Sequence, residues 1–198
     1  MQATWRTALP GNGQDDKTTL ILLRHGETEW NSSGRWQGQD ANTQLTERGR
    51  EQARIVSKRL SAYPITAIYS SDLMRACQTA APLAGRKGLA LRVDPGLRER
   101  GFGEFEGLSF VEIEQRWPEQ AAAWRRRDPD FGARGGEVLR DFRSRVVTAV
   151  TRLAMAHRGQ SIALVTHGGV LDLLYREATR LARLSQPTVA FVRFRPFG

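Results

Sequence analysis

The sequence has a single cysteine, Cys77, and no long hydrophobic run. One thiol excludes an internal disulfide framework and any thiolate-rich metal site. No segment approaches the ~18 uninterrupted apolar residues that a membrane-spanning helix requires. Residues 1–17 lack the apolar core of a secretory signal and carry Asp15 and Asp16. We therefore expect a soluble, cytoplasmic protein.

Acidic residues are few relative to basic ones, and almost all of the excess positive charge is arginine. The chain has 30 Lys and Arg residues against 21 Asp and Glu residues, which gives a formal net charge of +9. Such a surplus attracts anions, whether phosphorylated metabolites, nucleic acid or an acidic membrane surface. The cluster at 125–127 is interpreted as a solvated face, the usual role of a charge run. Charge alone does not decide among these partners.

Short β-branched and leucine-rich runs alternate with helical patterns along the 198 residues. This alternation indicates an α/β fold with a mainly parallel sheet. Residues 1–16 are expected to be a mobile N-terminal segment, 17–198 a single domain, and the region around 103–140 a small cap over the sheet. The predicted strands are Thr18–Arg24, Ile65–Ser70, Leu89–Val93, Ser161–Thr166 and an edge strand at Thr188–Arg195. Four helices are predicted. The first spans 46–60, and the second begins at a cap on Ser71 or Asp72. The third opens at Ser109 and ends or kinks at Pro118, and the fourth runs along Leu139–Leu153.

Chemically active side chains follow the predicted strands. Arg24 and His25 end the first strand, Arg75 comes soon after the second, Glu99 follows the third, and His167 ends the fourth. In an open α/β sheet, ligands bind beyond the carboxyl ends of the strands. The sequence therefore predicts that these five side chains meet at one edge of the sheet.

These residue types suit the transfer of a phosphoryl group. Arginines match phosphoryl oxygens bidentately and keep their charge, and the N–H groups of Gly168 and Gly169 are expected to form an anion site at a helix start. A histidine kept neutral by neighbouring arginines can act as a nucleophile. Repulsion from a phosphate dianion is expected to raise the pKa of Glu99, which favours its use as a general acid catalyst. We expect no metal and no cofactor, because the arginines and His167 supply positive charge.

Several other residues are interpreted as structural. His157 lies at a predicted helix end, Cys77 is interpreted as a small buried residue, and packing is the default role of the tryptophans. The cysteine-based phosphatase loop is excluded because Leu83 stands where its arginine is required. No metalloprotease, serine-hydrolase or zinc-ligand spacing occurs in the chain.

Six blocks, in order, resemble the histidine phosphatase superfamily, the phosphoglycerate-mutase-like group built around the RHG motif. The resemblance runs from about residue 19 to about residue 178 and implies a three-layer α/β/α, phosphoglycerate-mutase-like fold. After Ala178 the sequence lacks the family's usual motif. The blocks are LLRHGETEWN (22–31), GRWQG (34–38), LTERGREQA (45–53), SSDLMRACQTA (70–80), LRERGFGEFEG (97–107) and LVTHGGV (164–170).

The resemblance implies a role for each matching residue. His25 would carry a transient phosphoryl group, and Glu99 would donate a proton and later activate water. The phosphoryl oxygens would be held by Arg24, Arg75 and His167, with Asn31 and Gly168 beside them, and Gln37 and Gly38 would border the substrate.

We therefore expect a metal-independent phosphomonoesterase that acts on a small phosphorylated metabolite through a phosphohistidine intermediate. The short stretch between the acid and the second histidine favours this activity over a cofactor-dependent phosphoglycerate mutase, which remains the alternative. A non-catalytic basic binder of RNA or acidic partners is the third hypothesis. No nucleic-acid or membrane partner is expected, and a homodimer is compatible with the sequence.

Overall fold

The central element is a four-stranded parallel sheet in the order β1-β4-β2-β3. The computed structural model describes residues 17–182, so the expectations for segment 1–16 and for the strand Thr188–Arg195 lie outside the described residues. The third strand is shorter than the predicted Leu89–Val93. The strands are β1 (Thr19–Arg24), β2 (Ile65–Ser70), β3 (Leu91–Val93) and β4 (Ser161–Thr166).

Helices cover both faces of the sheet and give the three-layer α/β/α arrangement that the sequence predicted. On one face, Ala76, Ala80 and Leu83 of α3 pack against Ile21 and Val165 of the strands. On the other face, α6 and α7 pack through a second apolar cluster. The helices are α1 (Glu29–Ser32), α2 (Glu47–Arg59), α3 (Met74–Lys87), α4 (Phe110–Arg116), α5 (Pro118–Arg126), α6 (Leu139–Ala156) and α7 (Gly168–Ala182).

The predicted start of α3 is wrong. The N-cap is Leu73, which makes no side-chain capping bond, rather than Ser71 or Asp72. The Asp72 carboxylate instead accepts hydrogen bonds from both Nε and Nη2 of Arg98. A carboxylate that is engaged in this bidentate pair is not available to cap a helix.

The region around 103–140 forms a cap with an apolar cluster of its own. Ser109 caps α4 through a capping box, and α4 ends at Arg116, before Pro118, as the sequence predicted. Pro118 also takes the first position of a further helix, α5, which was not predicted. Phe105, Ile113 and Ala121 are fully buried between these short helices. This cluster is separate from the two sheet-packed clusters, so the cap contributes a wall over the sheet edge. Within residues 17–182, no helix combines the length and the apolar composition needed to cross a bilayer.

Candidate active site

The carboxyl edge of the sheet brings Arg24, His25, Arg75 and Glu99 together around one cavity, and the fifth predicted residue, His167, is buried behind the lining beside His25. The rings of His25 and His167, which follow the neighbouring strands β1 and β4, lie with their centroids 5.1 Å apart. The cavity has a volume of about 210 Å³. Its lining consists of Arg24, His25, Asn31, Arg35, Trp36, Gln37, Gly38, Arg75, Glu99, Phe102 and Trp124.

His25 is held as a neutral imidazole with a defined tautomer. Its Nδ1 lies 2.7 Å from the carbonyl oxygen of Gly26, so Nδ1–H donates and Nε2 keeps its lone pair. Burial lowers the pKa of His25 to about 3, with a further contribution from the Arg75 charge. The predicted neutral state is therefore confirmed, although burial contributes more to it than the neighbouring arginines do.

Arg75 lies in the first turn of α3 and is almost completely buried. Its Nη2 donates to the carbonyl of Gly38 at 2.7 Å, and its Nη1 donates to the carbonyl of Ala41 at 3.1 Å. Within the described part of the chain, Nε has no hydrogen-bond partner. Burial lowers the pKa of Arg75 to about 10, against the opposing effect of the Glu99 and Glu106 carboxylates. The guanidinium is thus charged at neutral pH and has an N–H left for an anion.

His167 is fully buried, and neither ring nitrogen has a hydrogen-bond partner among the described residues. Burial is the largest cause that lowers the pKa of His167 well below its usual value, and the charges of Arg75 and Arg24 act in the same direction. His167 is therefore neutral, and the expectation that it supplies positive charge is wrong. A buried polar atom without a partner costs about 1–3 kcal/mol, so such atoms indicate a site where a ligand completes the contacts. Here the unpartnered nitrogens belong to the residues that the sequence assigned to phosphoryl binding.

Glu99 is a buried carboxyl group fixed by backbone N–H groups. Oε2 accepts the N–H of Gly169 at 2.9 Å, and Oε1 accepts the N–H of Arg100 at 3.0 Å. Burial raises the pKa of Glu99, and the two backbone hydrogen bonds oppose that shift. The predicted rise therefore exists before any phosphate dianion is bound, because removal from water disfavours the charged form.

The expected anion site at the start of α7 is only partly present. The Gly169 N–H is already used by Glu99, so the prediction that it binds an anion is wrong. A β-carbon at Gly169 would lie 2.3 Å from Glu99 Oε1, which explains why glycine is needed there. Gly168 begins α7 beside the Arg24 guanidinium.

Asn31 and Gln37 are oriented by one buried residue, Thr28, which the sequence analysis missed. The Thr28 hydroxyl donates to Gln37 Oε1 at 2.8 Å, and the Thr28 N–H donates to Asn31 Oδ1 at 3.2 Å. Both amide oxygens are therefore turned to the protein, which leaves the amide NH₂ groups as the donors available to a ligand. The available signal was the capping-box spacing of Thr28 and Asn31.

The cap supplies an aromatic wall to the same cavity. Trp36 and Trp124 lie with ring centroids 4.5 Å apart, and Phe102 contacts both rings. The packing role assigned to the tryptophans is therefore incomplete, because these two also line the cavity. Arg100 stacks on Trp124 from a buried position, with its guanidinium carbon 4.8 Å from the ring centre.

His157 and Cys77, which were interpreted as structural, lie outside this cavity. His157 ends α6, where it contacts the Tyr69 hydroxyl at 2.9 Å. Cys77 is half-buried rather than buried, and its thiol donates to the carbonyl of Ser71. Among the described residues, no group of three or more histidine, cysteine or carboxylate side chains is placed to hold a metal ion.

Comparison with known proteins agrees with this geometry. The model of the histidine phosphatase superfamily (branch 1) matches residues 20–190. The phosphoglycerate mutase-like protein 4 of Arabidopsis thaliana is 40% identical over 172 residues, which cover 85% of this chain and 74% of that protein. A metal-independent phosphoserine phosphatase of Arabidopsis thaliana is 36% identical over 171 residues, which cover 84% of this chain and 71% of that protein.

A solved structure shows the same relationship. A mycobacterial glucosyl-3-phosphoglycerate phosphatase in complex with VO3 superposes with a TM-score of 0.73 at 35% identity, over 80% of this chain and 79% of that one. Residues 20–190, which the family model matches, include the strands and turns that carry the histidines, the arginines and Glu99. The chain belongs to the histidine phosphatase superfamily.

Proposed function

We propose that this chain is a metal-independent phosphomonoesterase that acts on a small phosphorylated metabolite and uses His25 as its nucleophile. The observation that carries the proposal is a pair of buried, unpartnered groups: Arg75 Nε in the lining of the cavity and the ring of His167 beside His25. They lie next to an imidazole whose Nε2 keeps its lone pair. A phosphoryl group bound there accepts hydrogen bonds from Arg75 Nε–H and from the single N–H of the neutral His167 ring, while His25 Nε2 offers its lone pair to phosphorus.

In the first step, His25 Nε2 attacks phosphorus in line with the leaving oxygen. The N–P bond forms as the P–O bond to the alcohol breaks, and protonated Glu99 transfers its proton to that oxygen. Positive charge develops on the imidazole, where the Nδ1–H bond to Gly26 stabilises it. The raised pKa of Glu99 keeps a proton available for this transfer.

In the second step, water hydrolyses the phosphohistidine. Glu99, now a carboxylate, takes a proton from the attacking water, the new P–O bond forms, and the N–P bond breaks. Inorganic phosphate leaves, and His25 returns to the neutral imidazole. Throughout, Arg24 and Arg75 supply positive charge to the equatorial oxygens, which is the main requirement of phosphoryl transfer.

The aromatic half of the cavity supports an organic leaving group. Trp36, Phe102 and Trp124 face the space beyond the phosphoryl site, and Arg35 adds a positive charge to the lining. The relatives named above include a phosphatase for phosphoserine and one for glucosyl-3-phosphoglycerate. We infer a substrate of that general class. We also propose that the enzyme acts in the cytoplasm and has no nucleic-acid or membrane partner.

Hydrolysis of p-nitrophenyl phosphate in the presence of EDTA tests the proposal. We expect wild-type turnover in EDTA, a loss of at least about 1,000-fold in His25→Ala, and near wild-type turnover in the matched control His157→Ala. Acid-labile phosphate bound to protein should be trapped in wild type and absent from His25→Ala. Turnover that survives in His25→Ala, or that EDTA abolishes, would overturn the mechanism.

Two further measurements separate the alternatives. Conversion of 3- to 2-phosphoglycerate that requires bisphosphoglycerate, at a rate above hydrolysis, would make the chain a mutase. Salt-sensitive RNA binding that persists in the double variant His25→Ala/His167→Ala, without hydrolysis by wild type, would favour the basic binder. A panel of phosphorylated metabolites that includes phosphoserine and sugar phosphates then identifies the preferred leaving group.

A further inference from the structure

One loop, residues 38–41, lies between the cap and the phosphoryl-binding arginine. Its backbone N–H groups point to Glu106 of the cap, and two of its carbonyl groups accept hydrogen bonds from Arg75 of α3. The loop therefore contacts a carboxylate through its donors and a guanidinium through its acceptors. Neither contact belongs to the reaction steps described above.

Glu106 uses both of its oxygens to hold this loop. Oε1 accepts the N–H groups of Gln39 at 2.9 Å and Phe102 at 3.0 Å. Oε2 accepts the N–H groups of Asp40 at 2.9 Å and Ala41 at 3.4 Å. Hydrogen bonds to a carboxylate are shorter and stronger than those between neutral groups, so this half-buried side chain is a strong anchor.

The fit between Glu106 and the loop is close. Gly38 has φ +50°, and a β-carbon there would lie 1.7 Å from Glu106 Oε1. A side chain at this position would thus collide with the carboxylate and strain the backbone. Gly38 is also the residue whose carbonyl accepts Arg75 Nη2 at 2.7 Å, so the anchor and the guanidinium meet at the same peptide.

The same loop reaches the general acid. Gln39 Nε2 donates to the backbone carbonyl of Glu99 at 2.8 Å. Displacement of the loop would therefore disturb Arg75 directly and Glu99 through its backbone. Both groups would need to stay within a fraction of an ångström of their working positions, because a misplacement of about 1 Å can cost about 100-fold in rate.

We propose that Glu106 is a positioning residue: it fixes the loop 38–41, and through the loop carbonyls it aims the Arg75 guanidinium at the phosphoryl group. The inference rests on the proposed function for its catalytic consequence. Its consequence for anion binding does not, since Arg75 would bind inorganic phosphate whether or not the protein turns over a substrate.

The position and the charge of Glu106 predict opposite effects on phosphate affinity. A carboxylate close to Arg75 opposes anion binding by its charge, so Glu106→Gln would tighten phosphate binding if charge were its main contribution. If Glu106 acts by position, the same change weakens phosphate binding. The amide NH₂ group would replace a carboxylate oxygen that accepts hydrogen bonds from backbone N–H groups, and two donors would then face each other. The sign of the change therefore separates the two roles.

The experiment measures inorganic phosphate binding by calorimetry and kcat/KM on the full chain. We expect Glu106→Gln to weaken phosphate binding about tenfold, the loss of one to two hydrogen bonds, and to lower kcat/KM at least as much. The matched control is Glu104→Gln, two residues away in the same turn, whose carboxylate contacts Gln120 and the N–H of Arg134. The control should change phosphate affinity by less than about twofold. Glu106→Asp keeps the charge but shortens the reach, and we expect it too to weaken binding, which provides a second variant should Glu106→Gln fail to fold.

A double-mutant cycle tests the route through Arg75. If Glu106 acts by aiming Arg75, Glu106→Gln adds little to the loss of phosphate affinity already caused by Arg75→Gln. Full additivity, unchanged affinity in Glu106→Gln and Glu106→Asp, or tighter binding in Glu106→Gln would each overturn the proposal. Phosphate binding by wild type without hydrolysis would count against the proposed function alone and would leave this inference standing.

Discussion

Two buried residues of the site have pKa values moved in opposite directions. Burial lowers the pKa of His25 to about 3 and raises the pKa of Glu99 above its usual 4.5. Desolvation disfavours the charged form in both cases, which is the cation for histidine and the anion for glutamate. The result is a neutral nucleophile beside a protonated acid over one range of pH, which is the pairing that the first chemical step needs.

The pH dependence of kcat/KM should report these two groups. The rate rises as His25 loses its proton near pH 3 and falls as pH passes the raised pKa of Glu99, because the acid form must donate. Rates of p-nitrophenyl phosphate hydrolysis from pH 3 to pH 9 measure both limbs. Glu99→Gln should lower kcat/KM by about 10²–10⁴-fold and remove the alkaline limb that belongs to Glu99. An unchanged alkaline limb in that variant would assign it to the substrate instead.

Thr28 carries a second prediction at this scale. Thr28→Val preserves shape but removes the hydroxyl that holds Gln37 Oε1, so one amide donor loses its orientation. We expect KM to rise about tenfold with a smaller change in kcat, since this contact serves the ground state and the transition state alike. The matched control is Thr43→Val, which also removes a hydroxyl bonded to Gln37 Oε1 but leaves the Thr28 bond in place. Equal effects from the two variants would contradict a special role of Thr28.

The residues that react were predictable, and those that position them were not. His25 and His167 stand directly after strands, and Glu99 follows β3 after one short helical turn, at the carboxyl edge where a parallel sheet gathers side chains. Glu106 acts through hydrogen bonds that depend on the path of the loop at 38–41, and the contact of Thr28 with Gln37 depends on how the chain returns after α1. Sequence periodicity carries no information on that path, because loops have no repeat from which their contacts can be inferred.

At the scale of elements, the junction between β4 and α7 fixes the general acid. Gly169 donates its N–H to Glu99 Oε2, and a β-carbon there would lie 2.3 Å from Oε1. We expect Gly169→Ala to displace the carboxyl group and to lower kcat about 100-fold. Stopped-flow or steady-state assays measure the loss, and thermal unfolding checks that the fold is retained. Wild-type turnover in Gly169→Ala would show that Glu99 tolerates the displacement.

Gly85 of α3 is the converse case and provides the control. It lies on the exposed side of the helix, and a β-carbon there would meet nothing within 4 Å. Gly85→Ala should stabilise the protein by about 1 kcal/mol, because glycine in a helix interior costs conformational entropy. The midpoint of thermal unfolding should rise by about 2–4 °C with unchanged turnover. A lower midpoint would contradict the open surroundings of this position.

Element boundaries were predicted well where a local motif defines them. The capping box at Ser109 and the end of α4 before Pro118 depend on residues that are close together in the sequence. The start of α3 depends on a distant partner, because Asn42 Oδ1 accepts the Met74 N–H at 2.8 Å across 32 residues. Local spacing could not reveal that contact, and the predicted cap at Ser71 or Asp72 was therefore wrong.

For the molecule as a whole, many arginines form ion pairs on the surface of the described part of the chain. Arg125 pairs with Glu114, Arg127 with Asp172, and Arg143 makes a bidentate pair with a glutamate of α7. Exposed pairs of this kind contribute about 0–1 kcal/mol each, so they act on solubility more than on stability. The solvated-face interpretation of the arginine cluster agrees with these contacts, and the charge that matters for function is the buried charge of Arg75.

Burial of two neutral histidines makes the stability of the whole protein depend on pH. The pKa of His25 falls to about 3 and that of His167 lies well below 6.5 in the folded state. In the unfolded chain both groups take up protons near pH 6.5. The unfolded state therefore binds more protons below that pH, and the free energy of unfolding falls as the pH is lowered. Glu99 acts in the opposite sense, because its raised pKa costs stability as pH rises above 4.5.

Urea unfolding at pH 7, 6 and 5 measures the effect. Each buried histidine should contribute a slope of about 1 kcal/mol per pH unit below pH 6. His25→Gln removes one titrating group, so its free energy of unfolding should fall less steeply towards pH 5 than that of wild type. His157→Gln, at the end of α6 and outside the cavity, is the comparison variant that removes a histidine elsewhere in the fold. Saturating inorganic phosphate should also stabilise the wild-type protein, because it binds only the folded state. Equal slopes in wild type and His25→Gln would mean that the imidazole of residue 25 is not buried in its neutral form.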